Sequence, residues 1–191
     1  ISIVLKKVNS SALVISLLAG ISINRLKKSL VDDVSVIRVM PNMPAQIGHS
    51  MSVMSYSCGI SDEERAQCDR LFTAIGKTMV VDEPCMDIAT GISGSGPAFF
   101  YRIANQIALV GQKEGLSFDK ALSLVSQTLV GAGLMLQQKG ASPETLISEV
   151  ASPNGTTVAG LDKFDQTGCD ESIKLIIEAA IFRARELNNS L

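Results

Sequence analysis

The sequence has little from which metal and nucleophilic sites are usually built. His49 is its only imidazole, and its four cysteines, Cys58, Cys68, Cys85 and Cys169, fall at irregular spacings with no C-x-x-C pair. No metal site is therefore expected, and free thiols in a reducing, cytoplasmic setting are the simpler reading. Basic charge is also missing. Lys+Arg number 17 against 19 Asp+Glu, a net charge of -2, which argues against a nucleic-acid surface of the usual basic kind. No apolar run reaches the ~18 residues of a spanning helix. The nearest, Ser10 to Ile23, is broken by Ser10, Ser11, Ser16, Gly20 and Ser22, so no membrane partner is expected. There is no signal-peptide pattern, internal repeat, low-complexity tract or flexible linker. The chain opens on Ile1, not Met, and enters what reads as the middle of a fold.

What is present is apolar. The 191 residues are 46% hydrophobic, with a mean hydropathy of +0.28. That excludes a disordered chain and leaves room for one large domain or two small ones. The surplus apolarity needs a large core, a subunit interface, or both. In the first third, short branched runs bounded by Gly, Pro and Asn predict strands at Leu13 to Leu18, Ser35 to Met40, Met51 to Tyr56 and Thr78 to Val81. Ser61-Asp62-Glu63-Glu64 is a capping box that opens a helix stopping at Gly76. Strands interleaved with helix predict a parallel or mixed α/β sheet.

After Pro84 no strand is expected. Met86 to Ile92 reads as a helical turn or two. Helices follow at Ala98 to Glu114 with Pro97 in first position, Phe118 to about Gln138 with Ser117 as cap and Gly140 as stop, Ser142-Pro143 to about Val150, Thr156 to about Gln166, and about Asp170 to Leu187. In the last, Ile173, Ile176, Ile177, Ala180, Ile181 and Ala184 are expected to face inward. Several of these helices are apolar on more than one face. A segment of this size satisfies them most simply by packing against a copy of itself, which predicts a homodimer. The domain boundary falls near Asp82 to Cys85, giving an α/β part over 1–83 and an all-helical part over 84–191.

Three loops could carry chemistry. Met40 to Ala45 follows a strand, where open α/β sheets bind ligands; it also reads as a Pro-fixed turn. Gly91 to Ala98 has three glycines that permit close backbone approach, by a ligand or by another helix, but it is not G-x-G-x-x-G. Val150 to Thr157 supplies hydroxyls and a helix N-terminus suited to a carboxylate or phosphate, or else an ordinary cap in which Thr156 or Ser152 satisfies the helix donors.

The strings VIRVMPNMPA (Val36 to Ala45), TGISGSGPAF (Thr90 to Phe99), ASPNGTT (Ala151 to Thr157) and RARELN (Arg183 to Asn188), in this order and spacing, resemble pyrroline-5-carboxylate reductase. LLAGISI (Leu17 to Ile23) fits the same family, with Leu18 where Ala is usual. The resemblance implies a Rossmann-like NAD(P)-binding α/β domain followed by a helical dimerisation domain of the 6-phosphogluconate dehydrogenase C-terminal type, in dimers that can assemble into rings. It implies NAD(P)H-dependent reduction of 1-pyrroline-5-carboxylate to L-proline, with NADP or NAD as cofactor, as the last step of proline biosynthesis.

Carried over by position, Ala19 would approach the nicotinamide, Gly20 would belong to the cofactor-binding residues, and Asn42 and Pro44 would line the cofactor side. Ser152, Gly155, Thr156 and Thr157 would hold the substrate carboxylate, Val150 and Ser95 would shape the pyrroline pocket, and Thr157 would donate the proton to the imine nitrogen. Two departures stand out. Asn154 replaces a usual Gly, a change that Asn tolerates in the left-handed region. The family's first strand, Gly-rich loop and helix, and the strand selecting NAD or NADP, are not in the sequence. They correspond to two strand–helix units of roughly 30 residues each. On this reading the chain is incomplete, dimerises, and reduces substrate poorly. The alternative is a non-catalytic helical oligomerisation module that has lost its cofactor domain.

Overall fold

The computed structural model describes residues 12–30, 34–138, 140 and 142–190, and only the backbone of Asn189 and Ser190. Ile1, Ser10 and Ser11 lie outside the described residues. The chain divides into two compact units, residues 1–97 together with 176–191, and residues 98–175. The strands end at Val80, close to where the sequence pattern changes, but the sheet unit also takes in the segment up to Pro97 and the end of the last helix.

The sheet unit holds β1 (Leu13–Ser16), β2 (Ser35–Met40), β3 (Ser50–Tyr56) and β4 (Gly76–Val80), in the order β1-β2-β3-β4. The sheet is mixed: β1 and β2 are parallel, β2 and β3 antiparallel, β3 and β4 parallel. Alternation along β2 sends its branched side chains to both faces. Ile37 and Val39, with Met54, meet Ile60, Cys68 and Phe72 beneath helix α2 (Asp62–Thr73). Val36, with Val34, meets Ile23, Leu26 and Leu30 of helix α1 (Ile23–Ser29) and its C-terminal end. Each fully buried aliphatic side chain contributes about 1.5–3 kcal/mol, and Val36, Ile37 and Met54 are wholly buried. A helix over each face makes this a partial Rossmann-like unit.

The capping box forms as expected. The Ser61 hydroxyl accepts from the Glu64 N–H (3.2 Å), and the Glu64 carboxylate accepts from the Ser61 N–H (2.8 Å). The helix does not run to Gly76, however; it ends at Thr73. Gly76 begins β4, where a Cβ would collide with the Ser50 backbone. Helix α1 has no counterpart in the sequence reading. Its signals are Ser22, whose hydroxyl accepts from the Arg25 N–H at 3.3 Å, and the spacing of Ile23, Leu26 and Leu30.

Beyond a short 3-10 turn (Glu83–Cys85), helix α3 (Met86–Ala89) passes into a π-helical segment, Thr90–Gly94, and then into α4 (Gly96–Lys113). The Gly-rich stretch is thus a widened helical turn. Helix α4 begins at Gly96, two residues earlier than expected, so Pro97 is its second residue.

The helical unit contains the rest of α4, then α5 (Phe118–Leu136), α6 (Pro143–Val150), α7 (Thr156–Gln166) and the first part of α8 (Cys169–Ser190). Ser117 caps α5 through the Lys120 N–H, and Ser142 caps α6 through the Thr145 N–H. Small residues bring α4 and α5 together: a Cβ on Gly111 would lie 2.9 Å from that of Ala121. Among the described residues, the buried apolar positions of this unit are Ala104, Ala108, Ala121 and Val125. Many of its large apolar side chains are exposed, Leu124 at 61% and Leu134 at 59% among them.

The expectation that Ile173 and Ile176 face inward is corrected, since they are 42% and 49% exposed. Periodicity marks an apolar stripe, but here no other part of the described chain covers the start of that stripe. Farther along α8, Ala184 is buried and Ile181 half-buried. Among the described residues, no helix is long and apolar enough to cross a membrane.

Candidate functional site

The residues singled out from sequence fall into two groups, one in each unit. In the sheet unit they lie where β1 and β2, running parallel, present their C-terminal ends. The turn after β1 carries Ala19, whose small side chain is exposed, and Gly20, which is buried. Gly20 has φ +69, a left-handed conformation that costs other residues a clash with the next carbonyl. A Cβ there would also lie 2.6 Å from that of Leu187 near the end of α8. Gly20 is needed because the backbone of this turn presses against a helix.

After β2, Asn42 ties three segments together. Its side-chain amide donates to the Ser93 carbonyl (3.2 Å) and hydroxyl (3.3 Å), its side-chain carbonyl accepts from the Met51 N–H (3.2 Å), and its own N–H donates to the Ser50 hydroxyl (3.2 Å). The amide is therefore turned inward, bracing the β2–β3 loop against the π-helical segment. Pro44 lies in the 3-10 turn Met43–Ile47 and accepts from the His49 N–H at 3.0 Å. Ser95 is half-buried directly after the π-helical segment, and its N–H donates to the Thr90 carbonyl at 2.9 Å. Gly94 is packed against Met40, whose methyl would lie 2.9 Å from an added Cβ.

One pair was not singled out from sequence. Arg38, buried to 3% exposure inside β2, donates to Glu83 at 3.1 Å. A charged residue in the apolar run SVIRVM was the available signal, because a buried guanidinium requires a partner.

In the helical unit, Val150, Ser152, Gly155, Thr156 and Thr157 occupy the single loop between α6 and α7. The loop turns tightly. The Gly155 N–H donates to the Ser152 carbonyl (2.9 Å), and Asn154 has φ +58, the left-handed conformation expected of it. A Cβ on Gly155 would lie 2.5 Å from the Ser152 hydroxyl oxygen and 3.0 Å from its carbonyl oxygen, so a side chain there would displace the Ser152 hydroxyl. Gly155 is the N-cap of α7 and has no side chain to cap it, and neither Ser152 nor Thr156 takes that role. The first N–H groups of α7 are left to an outside acceptor, at the end of the helix that carries roughly half a positive charge. Thr157 and Val150 also line an apolar cavity of about 470 Å³, together with Ala132, Leu136, Leu146 and Leu161. Anion donors beside an apolar cavity suit a small molecule with an anionic group on an apolar body. Among the described residues, no cluster of His, Cys, Asp or Glu could hold a metal.

Residues 83–187 match a family described as pyrroline-5-carboxylate reductase dimerisation. Over 184 residues the chain is 39% identical to a pyrroline-5-carboxylate reductase of Arabidopsis thaliana, covering 96% of this chain and 66% of that protein. It superposes on a 1-pyrroline-5-carboxylate reductase of Streptococcus pyogenes with a TM-score of 0.89 and 33% identity, covering 97% of this chain and 71% of that one. A pyrroline carboxylate reductase of Plasmodium falciparum, solved with NADP bound, superposes with a TM-score of 0.88 and 28% identity over 94% of this chain and 68% of that one. The chain spans about two thirds or less of the length of the curated relatives it matches, 66% and 62% for the first two.

Proposed function

Because the chain belongs to the pyrroline-5-carboxylate reductase family, we propose that it takes part in NAD(P)H-dependent reduction of 1-pyrroline-5-carboxylate to L-proline, in a homodimer formed through the helical unit. The observation that carries this reading is the α7 N-terminus. It is free of any side-chain cap, beside an apolar cavity that Thr157 and Val150 line. The substrate carboxylate would take the first N–H groups of α7, at Thr156 and Thr157, with the Ser152 hydroxyl as a further donor. Gly155 lets the loop close without a Cβ over those donors. Val150 would lie against the pyrroline ring.

When bound, the nicotinamide supplies the hydride for the imine carbon. The exposed Ala19 methyl would lie against such a ring, and Pro44 would flank it. Gly20 and Asn42 act by fixing the backbone of these two loops. The imine nitrogen needs a proton, for which the Thr157 hydroxyl is the proposed donor. NADP is the cofactor held by the Plasmodium relative, and NADP or NAD is proposed here. The free cysteines agree with a reducing, cytoplasmic setting. The exposed apolar residues of α4 and α5 would be covered by the second copy, with further assembly into rings as in the family.

Calorimetry with L-proline and prolinamide tests the carboxylate site. L-proline should bind at least about 10-fold more tightly than the amide, the worth of a charge-assisted hydrogen bond. Equal affinity would remove the α7 N-terminus from the reading. Consumption of NAD(P)H that depends on 1-pyrroline-5-carboxylate separates the reductase from a non-catalytic oligomerisation module, which would dimerise without consuming it. Full activity in Thr157→Val would remove the proton-donor role.

A further inference from the structure

We propose that Glu83 and Arg38 are positioning residues that clamp the turn between β1 and α1, and with it Ala19, against the nicotinamide end of the cofactor. The inference rests on the reading above for what the turn touches, and on geometry for the clamp itself. The turn starts where β1 ends, at Ser16, and Ser16 lies opposite Arg38 in the β1–β2 register. It stops where α1 begins, at Ile23. A single carboxylate oxygen, Glu83 Oε1, accepts from Arg38 Nη1 at 3.1 Å and from the Ile23 N–H at 2.5 Å. One atom from a distant part of the sequence therefore joins the strand row where the turn departs to the residue where it ends.

The other anchors are different in kind. Within the turn, the Leu18 N–H reaches the Ser16 hydroxyl only at 3.4 Å. The Ser22 hydroxyl serves Arg25, inside α1. At its tip, Gly20 is held by packing against Leu187. Glu83 is the anchor that is charged and comes from outside the turn. Its place is itself fixed by the short 3-10 turn that it opens and by Pro84 next to it. Arg38, almost wholly buried, has little freedom to seek another partner, so the oxygen it holds stays in place for Ile23. Hydride transfer depends steeply on the placement of the two reacting carbons. A turn that drifts by a fraction of an ångström would weaken cofactor placement without touching the carboxylate site.

A double variant, Arg38→Met with Glu83→Leu, tests the clamp. Arg38 is buried and Glu83 half-buried; replacing a desolvated ion pair by apolar side chains of similar size commonly leaves a fold as stable or more so, so this variant should fold and keep its melting temperature within a few degrees. Amide hydrogen exchange at residues 18–23 should speed up by about 10-fold or more while that of Val36 to Met40 is unchanged, a local opening rather than a global one. The kcat/KM for NAD(P)H should fall by about 10-fold, through a lower kcat as well as a higher KM, with the KM for 1-pyrroline-5-carboxylate within about twofold, because only the cofactor side has moved.

Glu83→Gln, which keeps an oxygen for Ile23, should show the same pattern at a smaller size, and it serves if the double variant does not fold. Unchanged exchange at 18–23 in the variant that folds would overturn the clamp, leaving the pair a structural feature of the sheet. Faster exchange in a protein that consumes no NAD(P)H would uphold the clamp and overturn the functional reading instead.

Discussion

The two units of this chain bury their apolar residues in opposite ways. In the sheet unit large side chains are inside: Val36, Ile37 and Met54 are wholly buried, and two helices close over the two faces. In the helical unit the buried positions are mostly alanine, while leucine, isoleucine and phenylalanine line the outside. The first unit builds a core of large side chains from its own residues, although Ile47, Met79 and Phe182 stay exposed. The second meets only the part of its hydrophobic requirement that small residues can satisfy, and leaves the larger part for another surface. Much of the surplus apolarity in the composition therefore sits where a second copy would cover it.

Substitutions that act on one unit alone should expose this difference. The largest effect is expected from Ile37→Ala. It should cost about 2–5 kcal/mol of stability through lost burial and a residual cavity, read by chemical denaturation, without changing the oligomeric state of the folded protein. Leu134→Glu should do the reverse. Its site is 59% exposed in the single chain, so folding of the helices should survive. The proposed homodimer should weaken by about 100-fold or more, as when a charge replaces an apolar anchor, a shift that analytical ultracentrifugation would resolve. A dimer indifferent to Leu134→Glu would move the interface to another face.

Cysteine chemistry sharpens the same contrast. Burial, with the nearby Asp69 charge adding to it, pushes the Cys68 thiol up to about 11 from an ordinary 9.0. The thiolate fraction at pH 8 is thus about 100-fold below that of an unshifted thiol, and Cys68 should react with iodoacetamide at least that much more slowly in the folded protein than in the protein unfolded by denaturant. The folded thiol holds its proton where the unfolded one releases it. The associated stability is complete below pH about 9 and is lost as pH rises towards about 11.

Gly20→Ala should cost about 1–3 kcal/mol, from left-handed strain together with the overlap against Leu187. Ser61→Ala, which removes an exposed cap, should cost about 1 kcal/mol. Glu64, the other half of that capping box, is held below the usual carboxylate range by the Ser35 hydroxyl first and the Ser61 backbone second. Its contribution is present above the unfolded carboxyl pKa and fades as pH falls through the lower, folded value.

Local signals were readable in the sequence wherever the physics was local. The strand SVIRVM over Ser35–Met40, the helix over Thr156–Gln166 and the caps at Ser61, Ser117 and Ser142 all follow from neighbours within a few residues. So does the left-handed Asn154. Helix α1 was missed because its seven residues give less than two full turns of periodicity. The π-helical segment was read as a Gly-rich loop because its extra residue per turn has no compositional mark.

At the candidate site, the loop residues were all visible as hydroxyls and glycines, but their partners were not. That Asn42 spends its amide on Ser93, that Gly20 is shaped by Leu187, and that Arg38 shares Glu83 with Ile23 are facts about residues distant in sequence. The outward Ile173 and Ile176 belong to the same class. An apolar stripe announces that it needs a cover and says nothing of which chain provides it.

The closing stretch of α8 bears on how the protein can be cut and tagged. Terminal residues are commonly the safest to trim or extend. Here Ile181 fits where Gly91 has no side chain, Leu187 fits where Gly20 has none, and the Asn188 side chain reaches Asp87 at 3.4 Å. A deletion removing Ile181 to Asn188 would therefore empty two glycine-lined grooves in the sheet unit. Fusion partners placed after α8 need a spacer that leaves Leu187 seated.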